Sequence, residues 1–267
     1  MTAQTAPLIA RARRLYLQGQ AREAEGLCRQ ALQADPRAAE AYAFLAGMAA
    51  DQRAFGPSVD LFQRALAIDP RNAAWGADLA RSLIGLNRQT PALTAALQAL
   101  ALGPKDATTF DTLGVVFSRI GHQANAALCF RRAHELAPTQ AGYLLNLGWA
   151  EQYLGEFAAA EQSWRRCIAL DPDNDAAIAA LVQMVTQGPD DNFIPALERL
   201  FQRAAGDADR QLRVGHALAK TYEDLKDPLA AFEWLARAKA AKARAATGLA
   251  AWQADVFSAA RATAPRP

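Results

Sequence analysis

Residues 141–174 read AGYLLNLGWAEQYLGEFAAAEQSWRRCIALDPDN, and this stretch decides the fold. Leu144, Leu147, Gly148 and Ala150 fall at helical spacing and mark a first helix. A turn follows at Gly155-Glu156-Phe157. Ala160, Trp164 and Ile168 mark a second helix, which stops at Asp171-Pro172. Proline ends it because it has no N–H to donate and clashes with the preceding turn. Gly148 and Ala160 are small enough for the two helices to approach closely, and Trp164 and Phe157 supply bulk where they separate.

Outward from this stretch the same proline recurs. Pro36, Pro70, Pro104, Pro138 and Pro172 stand at a constant interval of 34 residues, the period of a helix–turn–helix array. Other columns fall into the same phase. The close-packing position of the first helix reads Ala12, Ala46, Ala80, Gly114 and Gly148. A small position of the second helix reads Ala24, Ser58, Ala92, Ala126 and Ala160, and another reads Ala31, Ala65, Ala99, Ala133 and Cys167. Arg53 stands where the turn glycine is expected, a modest cost if that position needs a positive φ.

These columns resemble the tetratricopeptide repeat (TPR) family over about residues 5–174. The resemblance implies an all-α fold, a right-handed solenoid of stacked helix–turn–helix pairs. We read residues 5–174 as five in-phase repeats and 175–206 as a degenerate sixth helical pair, broken at Gly188-Pro189-Asp190-Asp191. Residues 207–245 read as a seventh pair, through Leu218, Ala219, Tyr222, a turn at Lys226-Asp227-Pro228, Ala231, Leu235 and Ala238. Residues 246–260 read as a capping or linker helix carrying Leu249, Trp252, Val256 and Phe257, and 261–267 as a tail.

Composition narrows the function. A formal charge of +2 over 267 residues is not the footprint of a nucleic-acid binder. No apolar run reaches the ~18 residues of a membrane span, and residues 1–14 lack the core of a signal peptide. Cytoplasmic residence is the expectation. Cys28, Cys129 and Cys167 form no C-x-x-C pair, and His122, His134 and His216 have no metal-ligand spacing. The cysteines read as buried small hydrophobes, and no cofactor or metal is expected. The acidic pairs Glu23/Glu25 and Glu223/Asp224 and the basic cluster Arg237, Lys239, Lys242 and Arg244 read as solvated helix faces. No glycine-rich phosphate loop, G-x-S-x-G or paired-His motif is present, so the chain reads as non-enzymatic.

In TPR proteins the concave surface is lined by first-helix positions two, five, six, nine, twelve and thirteen. Carried over, the resemblance implies a partner-binding groove at Asp78, Arg81, Asp111, Thr112, Arg119, Asn146, Trp149, Gln152 and Tyr153, with His216 and Lys220 from the later pair. Trp149 and Tyr153 are four apart and share a helix face. The implied function is a scaffold binding a protein or peptide, with self-association through end repeats a further possibility. The lysine–asparagine pattern that grips a terminal carboxylate in chaperone-binding members is missing. The matching positions are Ile9 and Arg13, Ala43 and Gly47, Ala77 and Arg81.

A second resemblance covers the C-terminal quarter. GHALAKTYEDLKDPLAAFEWLARAKAAKA, residues 215–243, is similar to the last TPR region of bacterial TPR–sulfotransferase fusions. The P-R-S-G-T type loop of their catalytic domain is absent from this sequence. The alternative it implies is an accessory, substrate-presenting region whose catalytic domain lies outside this chain.

Overall fold

A computed structural model describes residues 5–263, with side chains described to residue 247. Every regular element among the described residues is an α-helix, and there are fourteen. The chain divides into two compact units, Met1–Glu156 and Phe157–Pro267, with the boundary in the turn inside the stretch quoted first. The proposed tail falls partly on residues 264–267, outside the described residues.

The first unit holds α1 (Thr5–Leu17), α2 (Ala21–Ala34), α3 (Ala39–Asp51), α4 (Phe55–Ile68), α5 (Ala73–Gly85), α6 (Gln89–Ala101), α7 (Ala107–Ile120), α8 (Gln123–Leu136) and α9 (Ala141–Tyr153). Successive helices pair α1 with α2, α3 with α4, α5 with α6 and α7 with α8. Each pair stacks on the next, and the first helices also touch one another from α1 through α3, α5 and α7 to α9. The small-residue columns lie at these contacts: Ala12, Ala46, Ala80, Ala24, Ser58, Ala92 and Ala126 are all fully buried. The larger residues between them are Phe62, Phe117 and Leu113, also fully buried. Ser58 and Ser82 satisfy each other across this core with a hydroxyl hydrogen bond of 2.9 Å.

The turns repeat as faithfully as the helices. Gly19, Arg53, Asn87, Gly121 and Gly155 have φ of 81°, 58°, 57°, 86° and 80°, one at each 34-residue step. The next residue's N–H reaches back five residues each time: Gln20 to Leu15 (2.9 Å), Ala54 to Ala49 (2.8 Å), Arg88 to Leu83, His122 to Phe117 and Glu156 to Glu151 (2.9 Å each). This is the left-handed cap that satisfies the last carbonyls of a helix. Glycine takes the conformation without strain and asparagine tolerates it, but arginine pays ~1–2 kcal/mol. Arg53→Gly should therefore stabilise the unit, by up to ~1 kcal/mol once glycine's greater unfolded-state entropy is set against the relief. Thermal unfolding should show a melting temperature higher by a few degrees; a lower one would mean that the Arg53 side chain holds the turn.

The second unit holds α10 (Phe157–Leu170), α11 (Asp175–Met184), α12 (Ile194–Arg203), α13 (Ala208–Asp224) and α14 (Pro228–Thr263). Three features differ from the sequence reading. First, α11 and α12 pack on α13 rather than principally on each other. Ile178, Val182, Leu197, Leu200, Val214 and Leu218 share one core there. The cause is the long connection between α11 and α12, where the Asn192 amide donates to the Gly188 and Pro189 carbonyls at 3.1 and 2.9 Å. It replaces the tight turn of a repeat. Second, α14 runs unbroken through the segment read as a separate helix at 246–260. Apart from Gly248, whose cost in a helix is ~1 kcal/mol, nothing in that alanine-rich sequence breaks a helix. Third, Phe157 is 58% exposed, whereas Trp164 is fully buried. Phe157 is the first residue of α10, and only Trp164 contributes buried bulk.

Charged pairs tie the second unit together. Asp175 at the start of α11 accepts from Arg210 at 3.2 Å and from Arg213 at 2.7 Å. Asp173 accepts from Arg199 at 3.2 Å and also from Arg203.

Candidate binding groove

The groove is built by the first helices of the first unit, because each repeat places its first helix beside the next one's. Three depressions follow one another along it. The first, about 240 Å³, is lined by Arg13, Tyr16, Phe44, Asp51, Trp75 and Asp78 among others. The second, about 310 Å³, is lined by Asp51, Arg53, Phe55, Arg81, Val116 and Arg119 among others. The third, about 410 Å³, is lined by Val115, Ser118, Arg119, Asn146, Trp149 and Tyr153 among others. Asp51 belongs to the first and second, and Val115 and Arg119 to the second and third, so the three form one continuous track.

The polar side chains of the track differ in how far their charge is already spent. The Tyr16 hydroxyl donates to Asp51 at 2.8 Å. That bond, followed by burial and the Asp51 charge, pushes the Tyr16 hydroxyl above its ordinary pKa. Tyr16 also meets Phe44 edge to face, with ring centroids 5.8 Å apart. Asp78 pairs with Arg81 at 2.8 Å. Burial raises the Asp78 carboxyl above the usual range; Asp51 and Asp106 add to this and Arg81 opposes it. Asp111 is likewise raised by burial, and the Asn146 amide that donates to it at 3.3 Å opposes the shift. Arg53 and Arg119 have no ion-pair partner among the described residues. At the far end Trp149 is 39% and Tyr153 72% exposed.

Of the residues expected at a groove, Asp78, Arg81, Arg119, Asn146, Trp149 and Tyr153 line this track, and Asp111 joins it through Asn146. Thr112 and Gln152 are half-buried on α7 and α9. His216 and Lys220 lie on α13, in the second unit. His216 is exposed, whereas Lys220 is spent on Asp224 at 2.5 Å, whose other oxygen accepts the Gln187 N–H at 3.0 Å. Sequence reasoning missed Tyr16, Asp51, Arg53 and Phe55. The one available signal was Arg53, which breaks the glycine column.

The cysteines lie in the core. All three are buried and none is joined in a disulfide. Burial pushes Cys28 up to about 11, against the opposing charge of Arg13, and Cys129 up to about 12. Protonated, enclosed thiols react slowly. Ellman titration of the native chain should give a small, slow response, and all three thiols should react after unfolding. Rapid native labelling would contradict this packing. Among the described residues no cluster of His, Cys, Asp and Glu could hold a metal ion, and no helix is long and apolar enough to cross a membrane.

Residues 141–174 match the family model described as tetratricopeptide repeat. Solved structures extend the likeness in fold. The crystal structure of PilW, a widely conserved type IV pilus biogenesis factor, superposes with a TM-score of 0.60 at 18% identity, covering 90% of this chain and 94% of that one. Pseudomonas aeruginosa pilF gives 0.60 at 22% identity, covering 87% and 97%. YrrB, described as a TPR protein with an unusual peptide-binding site, gives 0.54 at 16% identity, covering 77% and 96%.

The fold is that of the tetratricopeptide-repeat proteins. No curated protein sequence matches the chain at a significant level. The family match and the fold likeness rest on the TPR helix pairs, and neither bears on the sulfotransferase resemblance of the C-terminal quarter. A TPR fold is consistent with a protein-interaction role, and the groove of the first unit brings the exposed Trp149 and Tyr153 together with Arg119.

Proposed function

We propose that the chain is a non-catalytic TPR scaffold and that the groove of its first unit binds an extended peptide segment of a partner protein. One observation carries this reading. Three depressions line up along α1 to α9, each sharing lining residues with the next, and they offer aromatic rings, apolar walls and unspent guanidinium groups in one track. Such a track suits an extended chain with side chains entering successive recesses, and arginine and tryptophan are frequent anchors in interfaces. YrrB, of similar fold, is described as having an unusual peptide-binding site, which agrees with this use of the scaffold.

The test is selection of a random peptide-display library on the full chain, followed by the double substitution Trp149→Ala with Tyr153→Ala. The melting temperature should move by no more than ~4 °C, since exposed substitutions usually stay within about 0.5 kcal/mol each and the two sum to about 1 kcal/mol. Retention of the selected peptides should fall at least tenfold, roughly one hot-spot side chain's worth. A drop of many degrees would make the rings part of the core. A library that yields no binders would overturn the reading. The sulfotransferase-accessory alternative draws on the C-terminal sequence likeness alone.

A further inference from the structure

The middle depression is the least balanced part of the groove. It carries three guanidinium groups, on Arg53, Arg81 and Arg119, against the carboxylate of Asp51. Asp51 already accepts the Tyr16 hydroxyl at 2.8 Å. Arg81 is already paired with Asp78 at 2.8 Å. Arg53 and Arg119 have no ion-pair partner among the described residues, and Arg119 also lines the neighbouring depression with Trp149 and Tyr153. Phe55, Val115 and Val116 give the recess apolar walls, which lower the local dielectric and strengthen a charge–charge contact made inside it.

The turn supplies an independent observation. Three of the five equivalent turn positions are glycine and one is asparagine, residues that tolerate a positive φ. Arg53 holds the same conformation with φ 58°, and its side chain lines the recess. A strained backbone conformation retained at a recess points to a use for the side chain that takes it.

We infer that the middle depression receives the carboxylate of an internal Asp or Glu of the bound peptide, held by Arg53 and Arg119, while the next depression takes an apolar or aromatic neighbour against Trp149 and Tyr153. This rests on the groove being a peptide site. The source of the carboxylate is a side chain rather than a chain terminus. The recess sits mid-track and shares lining residues with a depression on either side, so a peptide filling the track continues in both directions. Guanidinium groups bind carboxylates through parallel N–H donors, and an acidic segment complements the excess positive charge.

The experiment uses two random 12-residue display libraries on the full chain, one held internally between flanking residues and one ending in a free carboxylate. The internal library should enrich Asp or Glu close to an aromatic or large apolar residue. Arg119→Gln should weaken an enriched peptide by about tenfold, the scale of one charge-assisted hydrogen bond, and Arg119→Glu should restore binding to the same peptide with its acid changed to lysine. Arg53→Gly should also weaken binding while raising the melting temperature, a combination that a purely structural role for Arg53 does not produce. Enrichment of neutral or basic peptides would overturn the inference and leave the groove standing. Enrichment confined to the free-carboxylate library would overturn the choice of an internal side chain. Unchanged affinity in both Arg53→Gly and Arg119→Gln would overturn it as well. No binder from either library would overturn the groove reading itself.

Discussion

Trp164→Ala should lower the stability of the second unit by about 3–5 kcal/mol, the usual range for truncating a buried tryptophan. Trp164 is fully buried and is the largest such side chain among the described residues. In the repeat register its position is that of Cys28, Phe62 and Phe130, which are buried as well. The column tolerates very different volumes, but each repeat has packed around the residue it holds. For a chain of this size ~1 kcal/mol moves the melting temperature by ~2–4 °C, so a fall on the order of 10 °C is expected. Stability in repeat arrays is a sum of local terms. The loss should therefore appear as an early transition, located by hydrogen exchange within α10 and its neighbours in the second unit. Trp164→Phe should cost markedly less, since it leaves a smaller cavity. An unchanged melting curve for Trp164→Ala would show that the ring is not in the core.

Gly215→Ala should also destabilise, although alanine is the better helix former by ~1 kcal/mol. An added Cβ at Gly215 on α13 would lie 2.5 Å from the Ala238 Cβ on α14 and 3.3 Å from the Phe201 ring. The Ala238 methyl has no torsion by which to retreat, and the residue is fully buried. Phe201 is itself braced edge to face against Trp234, with centroids 5.3 Å apart. The helices must separate, and overpacking of this kind costs ~1–3 kcal/mol. The net loss should reach up to about 2 kcal/mol, read as a lower midpoint in urea. Ala238→Gly placed in the Gly215→Ala background should recover most of it by returning the missing space. A higher melting temperature for the single variant would mean that propensity outweighs the contact.

Both effects occur at positions where volume is matched across a helix pair; Trp164 stands in the repeat phase that was legible beforehand, whereas Gly215 lies beyond it. The small-residue columns at 34-residue intervals identify the contact points directly, because close helix approach demands small side chains. The turn column was legible in position but not in residue. Arg53 and Asn87 take the glycine conformation because the backbone bonds on either side of the turn outweigh the local cost. After residue 174 the columns fade, and the physical reason is visible. The short α11 and the asparagine-pinned loop replace a repeat turn, and alanine-rich α14 has no stop signal strong enough to divide it. The groove was half legible. Arg81, Arg119, Asn146, Trp149 and Tyr153 sit at first-helix positions that a repeat register can index. Arg53 and Phe55 reach the middle depression from a turn and the start of a second helix, where the register carries no expectation of contact.

The capped turns and nearest-neighbour stacking also have a kinetic consequence. The hydrogen bonds that join repeats within a unit span little more than one period: Tyr16 to Asp51 closes 35 residues, Asn146 to Asp111 closes 35, and Arg213 to Asp175 closes 38. Loop-closure entropy grows only with the logarithm of length, and chains dominated by short-range contacts fold quickly. Each helix pair can serve as a nucleus on which its neighbours condense, without waiting for distant segments to meet. The end pairs, with a neighbour on one side only, open first and most often. The middle depression is lined by α3, α5, α7 and the start of α4, which have further helices on either side within the unit, so it is assembled on the slow-exchanging part of the unit.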